Sequence, residues 1–387
     1  MRSNNTTMIR YIEDLKDEEV RGKRILLRLD LNVPVVNGEV KDAYRMEQVI
    51  GTVDLLRQKE AQTIILAHCE GKDSTTLVPM WHYLNGYFPV EFSPTFFDAP
   101  AMEKILALKD KGVLLFENVR INPGEKANDP DFSKKLAQMA DLYVDDAFGA
   151  MHRAHASIVG VPEFLPHYGG PLLKKEIENI SKAFVAEKPF VFILGGAKFD
   201  TKLPLIKKYL DKADVVFVAG ALANDIFKAK GFEVGTSLVS DGEFGIVDLL
   251  KNPKFQTFKD VTVRSAGGDI SFKKLPEIAE GDYIGDCGPD TIAYLKELLS
   301  TAKTVVWNGP LGNYEAGFSD KTEQLAEIIA ELTQANGLES IIGGGDTVAA
   351  IAKLDLNHKF SFVSTGGGAM LDYLVNETLP GIQALEK

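Results

Sequence analysis

The sequence predicts an α/β protein built from two doubly wound, parallel-sheet (Rossmann-like) domains joined by a hinge helix. Three observations carry this. The chain has 387 residues, more than a single core usually serves. Short apolar runs alternate with segments of helical period along its whole length. Near the middle, Pro162, Pro166, Gly169, Gly170 and Pro171 cluster, and an amphipathic stretch over 172–186 follows as a connecting helix.

Taken in order, the strands of the first half are Arg24–Leu29, Thr63–Ala67, Val113–Phe116 and Ala140–Val144. Those of the second are Pro189–Leu194, Val215–Ala219, Thr304–Trp307, Glu339–Ile342 and Phe360–Ser364. Each is apolar on both faces, as a parallel strand covered by helices must be. They are too many for one sheet of ordinary size, hence two sheets. The halves share only this generic βα pattern, which is not a repeat.

Bulk properties exclude several classes. Net charge is −12, which makes nucleic acid a poor partner. No apolar run reaches the roughly 18–20 residues of a membrane span, and Met1 to Arg10 lack the apolar centre of a signal peptide. Cys69 and Cys287 form neither a zinc nor a disulfide pattern. A cytoplasmic protein with no membrane or nucleic-acid partner is expected.

In open α/β sheets ligands bind beyond the carboxyl ends of the strands, so the residues just after each strand carry the information. In the first half these are Arg28-Leu29-Asp30-Leu31-Asn32-Val33-Pro34, His68, Glu117-Asn118-Val119-Arg120, and Asp145-Asp146-Ala147-Phe148-Gly149 leading to His152, Arg153 and His155. Arg45 opens the helix after the first of them. Singly, each has a plain structural reading, such as an Asx turn closed by Pro34. Together they place Arg or His at every clear strand end. Guanidinium forks suit carboxylate and phosphate oxygens. A pocket of Arg28, Arg45, His68, Arg120, His152 and Arg153 fits a small, multiply negative metabolite, with Asp30 and Asn32 reading its hydroxyl.

The second half reads as a nucleotide site. Gly195-Gly196-Ala197-Lys198-Phe199-Asp200-Thr201-Lys202 sets two lysines four apart at a helix start, facing phosphate. Gly343-Gly344-Gly345-Asp346-Thr347 and Gly366-Gly367-Gly368-Ala369 are glycine turns between strand and helix, whose freed N–H groups form anion sites. Asp346 is placed to hold a Mg²⁺ bridging phosphates. After Trp307-Asn308-Gly309-Pro310, Glu315 is positioned to accept from ribose hydroxyls. G-x-x-x-x-G-K-[ST] is absent, as is G-x-G-x-x-G, so neither a Walker-A enzyme nor a dinucleotide oxidoreductase is favoured.

In order and over nearly the whole length, these motifs resemble the phosphoglycerate kinase family. Arg28–Pro34 resembles R-x-D-x-N-V-P, and Glu117–Arg120 resembles E-N-x-R. Asp146–Gly149 with His152–Ser157 resembles D-A-F-G…H-R-A-x-A-S, and Gly195–Lys202 resembles G-G-[AS]-K-V-x-x-K. Trp307–Gly312, Gly343–Thr347 and Ser364–Ala369 resemble W-N-G-P-x-G, G-G-G-D-[ST] and S-T-G-G-G-A.

The resemblance implies glycolytic transfer of a phosphoryl group between 1,3-bisphosphoglycerate and ADP, giving 3-phosphoglycerate and ATP, with Mg²⁺, in a monomer. It implies that Asp30, Leu31, Asn32, Arg45, His68, Arg120 and Arg153 bind the phosphoglycerate. It assigns the nucleotide to Gly195, Lys198, Lys202, Asn308, Glu315, Gly344, Gly345, Asp346 and Thr347, and the metal to Asp346. Arg45, Lys198, Gly367 and Gly368 would stabilise the transferring group. The implied domains are 1–171 with a returning tail, 373–387, for phosphoglycerate, and 187–372 for nucleotide, closing about the helix 172–186.

The chain departs from the family at His68-Cys69-Glu70-Gly71-Lys72, where H-L-G-R-P is usual. The expected arginine is missing, and Lys72 would replace it only as a point charge. A non-catalytic nucleotide-binding scaffold of the same fold is the alternative that this loop raises. Ala219-Gly220-Ala221 would tighten one wall of the adenine pocket. The nucleophile is a carboxylate or a phosphate oxygen, already ionised, so His152 and His155 have no proton to take.

Overall fold

The computed structural model describes residues 8–41, 44–71, 75–242 and 244–386. The chain divides into two compact units, Met1–Glu178 with Asn376–Lys387, and Asn179–Val375. The division falls inside the helix Pro171–Ser181.

The first unit holds β1 (Arg24–Leu29), a hairpin of β2 (Val35–Val36) and β3 (Glu39–Val40), then β4 (Gln62–Leu66), β5 (Glu91–Ser93), β6 (Val113–Phe116), β7 (Leu142–Asp146) and β8 (His167–Gly169). Its main sheet is parallel, in the order β5-β6-β4-β1-β7-β8. β1, β4, β6 and β7 are buried along nearly their whole length, because helices cover both faces of the sheet. The returning tail packs on this unit: Gly381 N donates to Met151 O at 3.0 Å.

The second unit begins with β9 (Phe190–Leu194), β10 (Val215–Val218) and β11 (Phe255–Gln256). Three antiparallel strands follow, β12 (Asp260–Arg264), β13 (Ile270–Lys274) and β14 (Tyr283–Cys287). β15 (Thr304–Asn308), β16 (Glu339–Gly343) and β17 (Phe362–Val363) complete the parallel sheet, in the order β11-β10-β9-β15-β16-β17. From β9 the chain winds first toward β11 and then restarts on the other side at β15. The switch point therefore lies between β9 and β15.

The predicted strands are present, with three corrections. The strand expected over Ala140–Val144 is Leu142–Asp146, so Asp145 and Asp146 belong to the sheet and not to the loop after it. Both are fully buried because each has internal donors. Asp145 accepts from Ala147 N and Tyr143 Oη at 3.0 Å. Asp146 accepts from Leu173 N at 2.7 Å, tying β7 to the start of the helix Pro171–Ser181. The strand expected over Phe360–Ser364 shrinks to two residues at the sheet edge. The short edge strands and the antiparallel β12–β14 were not foreseen; β12 and β13 alternate polar and apolar residues around the Gly267-Gly268 turn.

Trp307 is the largest fully buried side chain, and its Nε1 donates to Gly309 O at 2.8 Å. Trp307→Ala should lower the unfolding free energy of the second unit by about 3–5 kcal/mol, read from urea transitions. It should also loosen the turn at Gly309, which loses its anchor.

Candidate active site

In the first unit, parallel register aligns the strand ends: Arg28 pairs with Leu66 on β4 and with Asp145 on β7. The residues that follow converge on one cationic cluster. Arg28, expected to face a ligand, is instead fully buried. Its Nε donates to Ser157 Oγ at 2.9 Å, its Nη1 to Leu29 O, and its Nη2 lies 3.0 Å from His68 Nδ1. A guanidinium only donates, so His68 Nδ1 accepts and the ring proton sits on Nε2. Burial, with the charges of Arg28, Arg120, Arg153 and Arg45, holds His68 well below the usual histidine range. His68 is thus a neutral donor inside a ring of arginines.

Arg45 opens the helix Tyr44–Gln58. Its Nη1 donates to Asn32 O and lies 3.6 Å from Asp30 Oδ2. Asp30 Oδ1 accepts from Asn32 N at 3.1 Å, which shapes the turn. Leu31 is a correction: its side chain is fully buried in the core, so only its backbone is available to a ligand.

The E-N-x-R segment divides its labour. Glu117 accepts from Thr76 Oγ1 and Leu77 N, and Asn118 Nδ2 donates to Cys69 O and Thr75 O at 2.8 Å. Both hold the loop after β4. Arg120 alone of this segment joins the cluster, with its side chain 3% exposed. Its Nη1 meets Glu70 Oε1 at 2.7 Å without hydrogen-bond alignment, and its Nε and Nη2 are buried with no hydrogen-bond partner among the described residues. Lys126 Nζ, 3.1 Å from Glu70 Oε1, and Arg153 Nη1, 3.5 Å from Glu70 Oε2, complete the group. Strand-end reading missed Lys126 because it lies on a helical turn, Pro123–Lys126, beyond the loop. Lys72 lies outside the described residues.

In the second unit, Leu194, Asn308 and Gly343 lie in one row across β9, β15 and β16. The loops Gly195–Lys198, Gly309–Gly312 and Gly344–Asp346 therefore start level. Close approach demands glycine here: a Cβ on Gly195 would sit 2.2 Å from Pro310 O. Gly344 has φ 96°, and a Cβ there would be 3.0 Å from Gly309 N.

Three helices begin just beyond the strand ends of this sheet: Phe199–Lys212 after β9, Gly345–Lys353 after β16 and Gly368–Asn376 after β17. Their N-termini edge a groove of about 440 Å³, with Lys198, Lys202, Asn308, Asp346, Gly367 and Gly368 among its walls. Helix N-termini carry positive partial charge, and flanked by two ammonium groups they are what a polyphosphate needs, although Phe199 N and Thr201 N already donate to Ser240 Oγ and Asp200 Oδ1. Burial lowers the pKa of Lys202, with Asp372 opposing the shift. Thr347 is a second correction: it is fully buried and does not line the groove, and its Oγ1 has no hydrogen-bond partner among the described residues.

A cavity of about 280 Å³ adjoins the groove, sharing Gly196, Ala197, Pro310 and Asp346. Gly220 and Ala221 form one wall, Leu238, Phe258 and Tyr283 add apolar surface, and Glu315 lines the cavity from the turn Tyr314–Ala316. Leu238, Phe258 and Tyr283 do not follow any strand of the parallel sheet that the sequence predicts, which is why strand-end reading did not find them. Asp346 is exposed as a residue, but the groove walls partly desolvate its carboxyl, and this, together with the charge of Glu315, raises its pKa.

Comparisons with known proteins agree with this geometry. A family model described as phosphoglycerate kinase matches residues 15–377. A phosphoglycerate kinase of Dictyoglomus turgidum is 39% identical over 97% of this chain and 98% of its own. A cytosolic phosphoglycerate kinase of Nicotiana tabacum is 38% identical over 97% and 98%. Among solved structures, the phosphoglycerate kinase of Coxiella burnetii is 33% identical with a TM-score of 0.80, and that of Pyrococcus horikoshii is 29% identical with a TM-score of 0.84. Each covers 97% of this chain and 98% of its own. The chain belongs to the phosphoglycerate kinase family.

The cluster has a measurable electrostatic signature at His155, whose Nδ1 lies 3.8 Å from Glu125 Oε1. That carboxylate favours protonation, but burial and the charges of Arg120, Arg153, Arg28 and Lys126 outweigh it and lower the pKa to about 4. The unfolded chain therefore binds this proton more readily, and the stability tied to neutral His155 is lost as pH falls from about 6.5 toward 4. An NMR titration should place the His155 midpoint near the same value. His155→Asn should flatten the acid limb of the stability profile by on the order of 3 kcal/mol.

Proposed function

We propose that the cationic cluster of the first unit holds the phosphoglycerate and that the strand-end groove of the second holds the nucleotide. The reaction is the family's: phosphoryl transfer between 1,3-bisphosphoglycerate and ADP, giving 3-phosphoglycerate and ATP. The observation that carries the assignment is the groove beyond the ends of β9, β15 and β16, edged by three helix N-termini and two lysines.

The chemistry asks for positioning and charge neutralisation. In the ATP-consuming direction the nucleophile is a carboxylate, ionised at neutral pH; in the other it is a phosphate oxygen of ADP. Neither needs a base, so His68 and His155, both held neutral, have no proton to take in this reaction. The transferring group spreads its charge over three equatorial oxygens. Arg45 from the first unit and Lys198 from the second are the cations assigned to it, with the N–H groups of Gly367 and Gly368. Lys202 and the start of the helix Gly345–Lys353 hold the other phosphates, and Glu315 faces the ribose.

One exposed carboxylate beside a phosphate groove suits Mg²⁺, which commonly takes one or two carboxylates plus substrate phosphates. Asp346 is the residue that would hold it, and the ion would neutralise phosphate charge. In-line transfer also requires the reacting atoms within about 3–3.5 Å. We assign that approach to movement about the helix Pro171–Ser181, which also excludes water from the acyl phosphate. The setting proposed is a cytosolic monomer.

The assignment is tested by ATP formation from 1,3-bisphosphoglycerate and Mg-ADP. Arg45→Ala should lower kcat by about 10²–10³-fold with little change in ADP affinity, as loss of a transition-state donor does. Lys202→Met should raise the KM for ADP about tenfold and leave 3-phosphoglycerate binding unchanged. Unaltered kcat in the first, or unaltered ADP binding in the second, would remove that residue from the site.

A further inference from the structure

Glu70 is the carboxylate that three of the cations meeting near the end of β4 share. Its two oxygens contact Arg120 at 2.7 Å, Lys126 at 3.1 Å and Arg153 at 3.5 Å. Its backbone N donates to Asn32 Oδ1 at 2.8 Å, which fixes the residue beside the turn that carries Asp30. Two of these contacts are with arginines assigned above to the phosphoglycerate. Arg120 is otherwise buried with Nε and Nη2 lacking hydrogen-bond partners among the described residues, so Glu70 is its counter-ion. Glu70 itself is 43% exposed and stands on a loop, free to leave toward solvent. Burial alone would raise its pKa, but the close contact of Lys126 and the charges of Arg120 and Lys126 hold it at about 2, so it is ionised at neutral pH.

We propose that Glu70 is a built-in occupant of the phosphoglycerate pocket, holding Arg120, Lys126 and Arg153 together and yielding them only to a more highly charged ligand. This rests on the reading of the cationic cluster as the phosphoglycerate site. A carboxylate carries one negative charge, and a phosphate ester close to two at neutral pH. Exchange therefore favours the substrate while rejecting weaker anions. In exchange, each substrate molecule binds against the fraction of protein in which Glu70 is disengaged. The apparent dissociation constant rises by the inverse of that fraction. If Glu70 is engaged nine-tenths of the time, the effect is about tenfold. The sequence fits this role, since Glu70-Gly71 stand where the family pattern has Gly-Arg, a cation exchanged for an internal anion.

The test is calorimetric titration of the full chain with 3-phosphoglycerate, comparing Glu70→Gln, Glu70→Ala and Arg153→Ala. The glutamine keeps the shape and removes the charge. Both Glu70 variants should bind 3-phosphoglycerate about tenfold more tightly, with Mg-ATP affinity unchanged. Without ligand they should melt at lower temperature, because Arg120 then lacks its counter-ion, and 3-phosphoglycerate should restore the difference. Arg153→Ala should weaken binding. If Arg153→Ala weakens it while both Glu70 variants bind equally or less tightly, the occupant role is wrong and the pocket stands. If Arg153→Ala binds as the unmodified chain does, the pocket assignment fails and this proposal with it. Should Glu70→Gln not fold, Glu70→Ala and the salt dependence of binding to the unmodified chain decide. An occupant that must be displaced predicts a shallower salt slope than three open cations would give.

Discussion

Parallel pairing in register is the constraint from which the rest of this molecule follows. Parallel strands end on a common edge, so whatever follows each strand is delivered to the same side of the sheet. In the second unit the row Leu194, Asn308 and Gly343 sets three loops at one height. The hydrogen bond from Gly195 N to Asn308 O at 2.8 Å carries that alignment one residue beyond the strands. Residues with side chains do not fit where these loops pass one another, which is why the glycines stand there. The helix N-termini, the lysines and Asp346 then share one groove without any single long motif.

The first unit solves a different electrostatic problem. Several cations must lie close together before any substrate arrives, and like charges at this range repel by several kcal/mol when water is scarce. Three devices offset this. Arg28 is taken up by Ser157, Leu29 and His68 and works as scaffold. His68 stays neutral, adding a donor without adding charge. Glu70 and Asp30 supply negative charge against Arg120, Lys126, Arg153 and Arg45. The same ionic contacts that stabilise the unliganded cluster weaken it as a trap for anions, so affinity and stability are traded within one set of side chains.

Much of this was legible without coordinates. The long buried strands announced themselves as apolar runs, because a strand covered on both faces is mostly apolar and carries a polar residue, such as Asp145 or Asp146, only where internal donors meet it. Arg120, Lys198, Lys202 and Asp346 could be named from the loops and helix starts that follow strands, and Arg45 from the helix after the first strand together with the family resemblance. What escaped had no local signature. Leu238, Phe258 and Tyr283 look like ordinary core residues, and only the antiparallel strands and their neighbours bring them to the cavity wall. Arg28, Leu31 and Thr347 matched a motif by type, yet their side chains point into the protein. Motif spacing records which backbone segment meets a ligand, and says little about which of its side chains do.

By itself the sequence determined the class of fold, the two-unit plan and the phosphoryl chemistry. The fold and plan depend on hydrophobic period, the anion sites on glycine and charge near strand ends, and the phosphoryl chemistry on ordered motifs that resemble a family's, all of which are read along the chain. Tertiary structure alone decided which cations have partners and which residues wall the cavity, because those answers join segments tens to more than a hundred residues apart, as Arg28 joins Ser157. It also turned Glu70, an odd residue in a familiar loop, into the counter-ion of Arg120. No pattern along the chain encodes that contact, since it exists only where β4 and β6 end side by side.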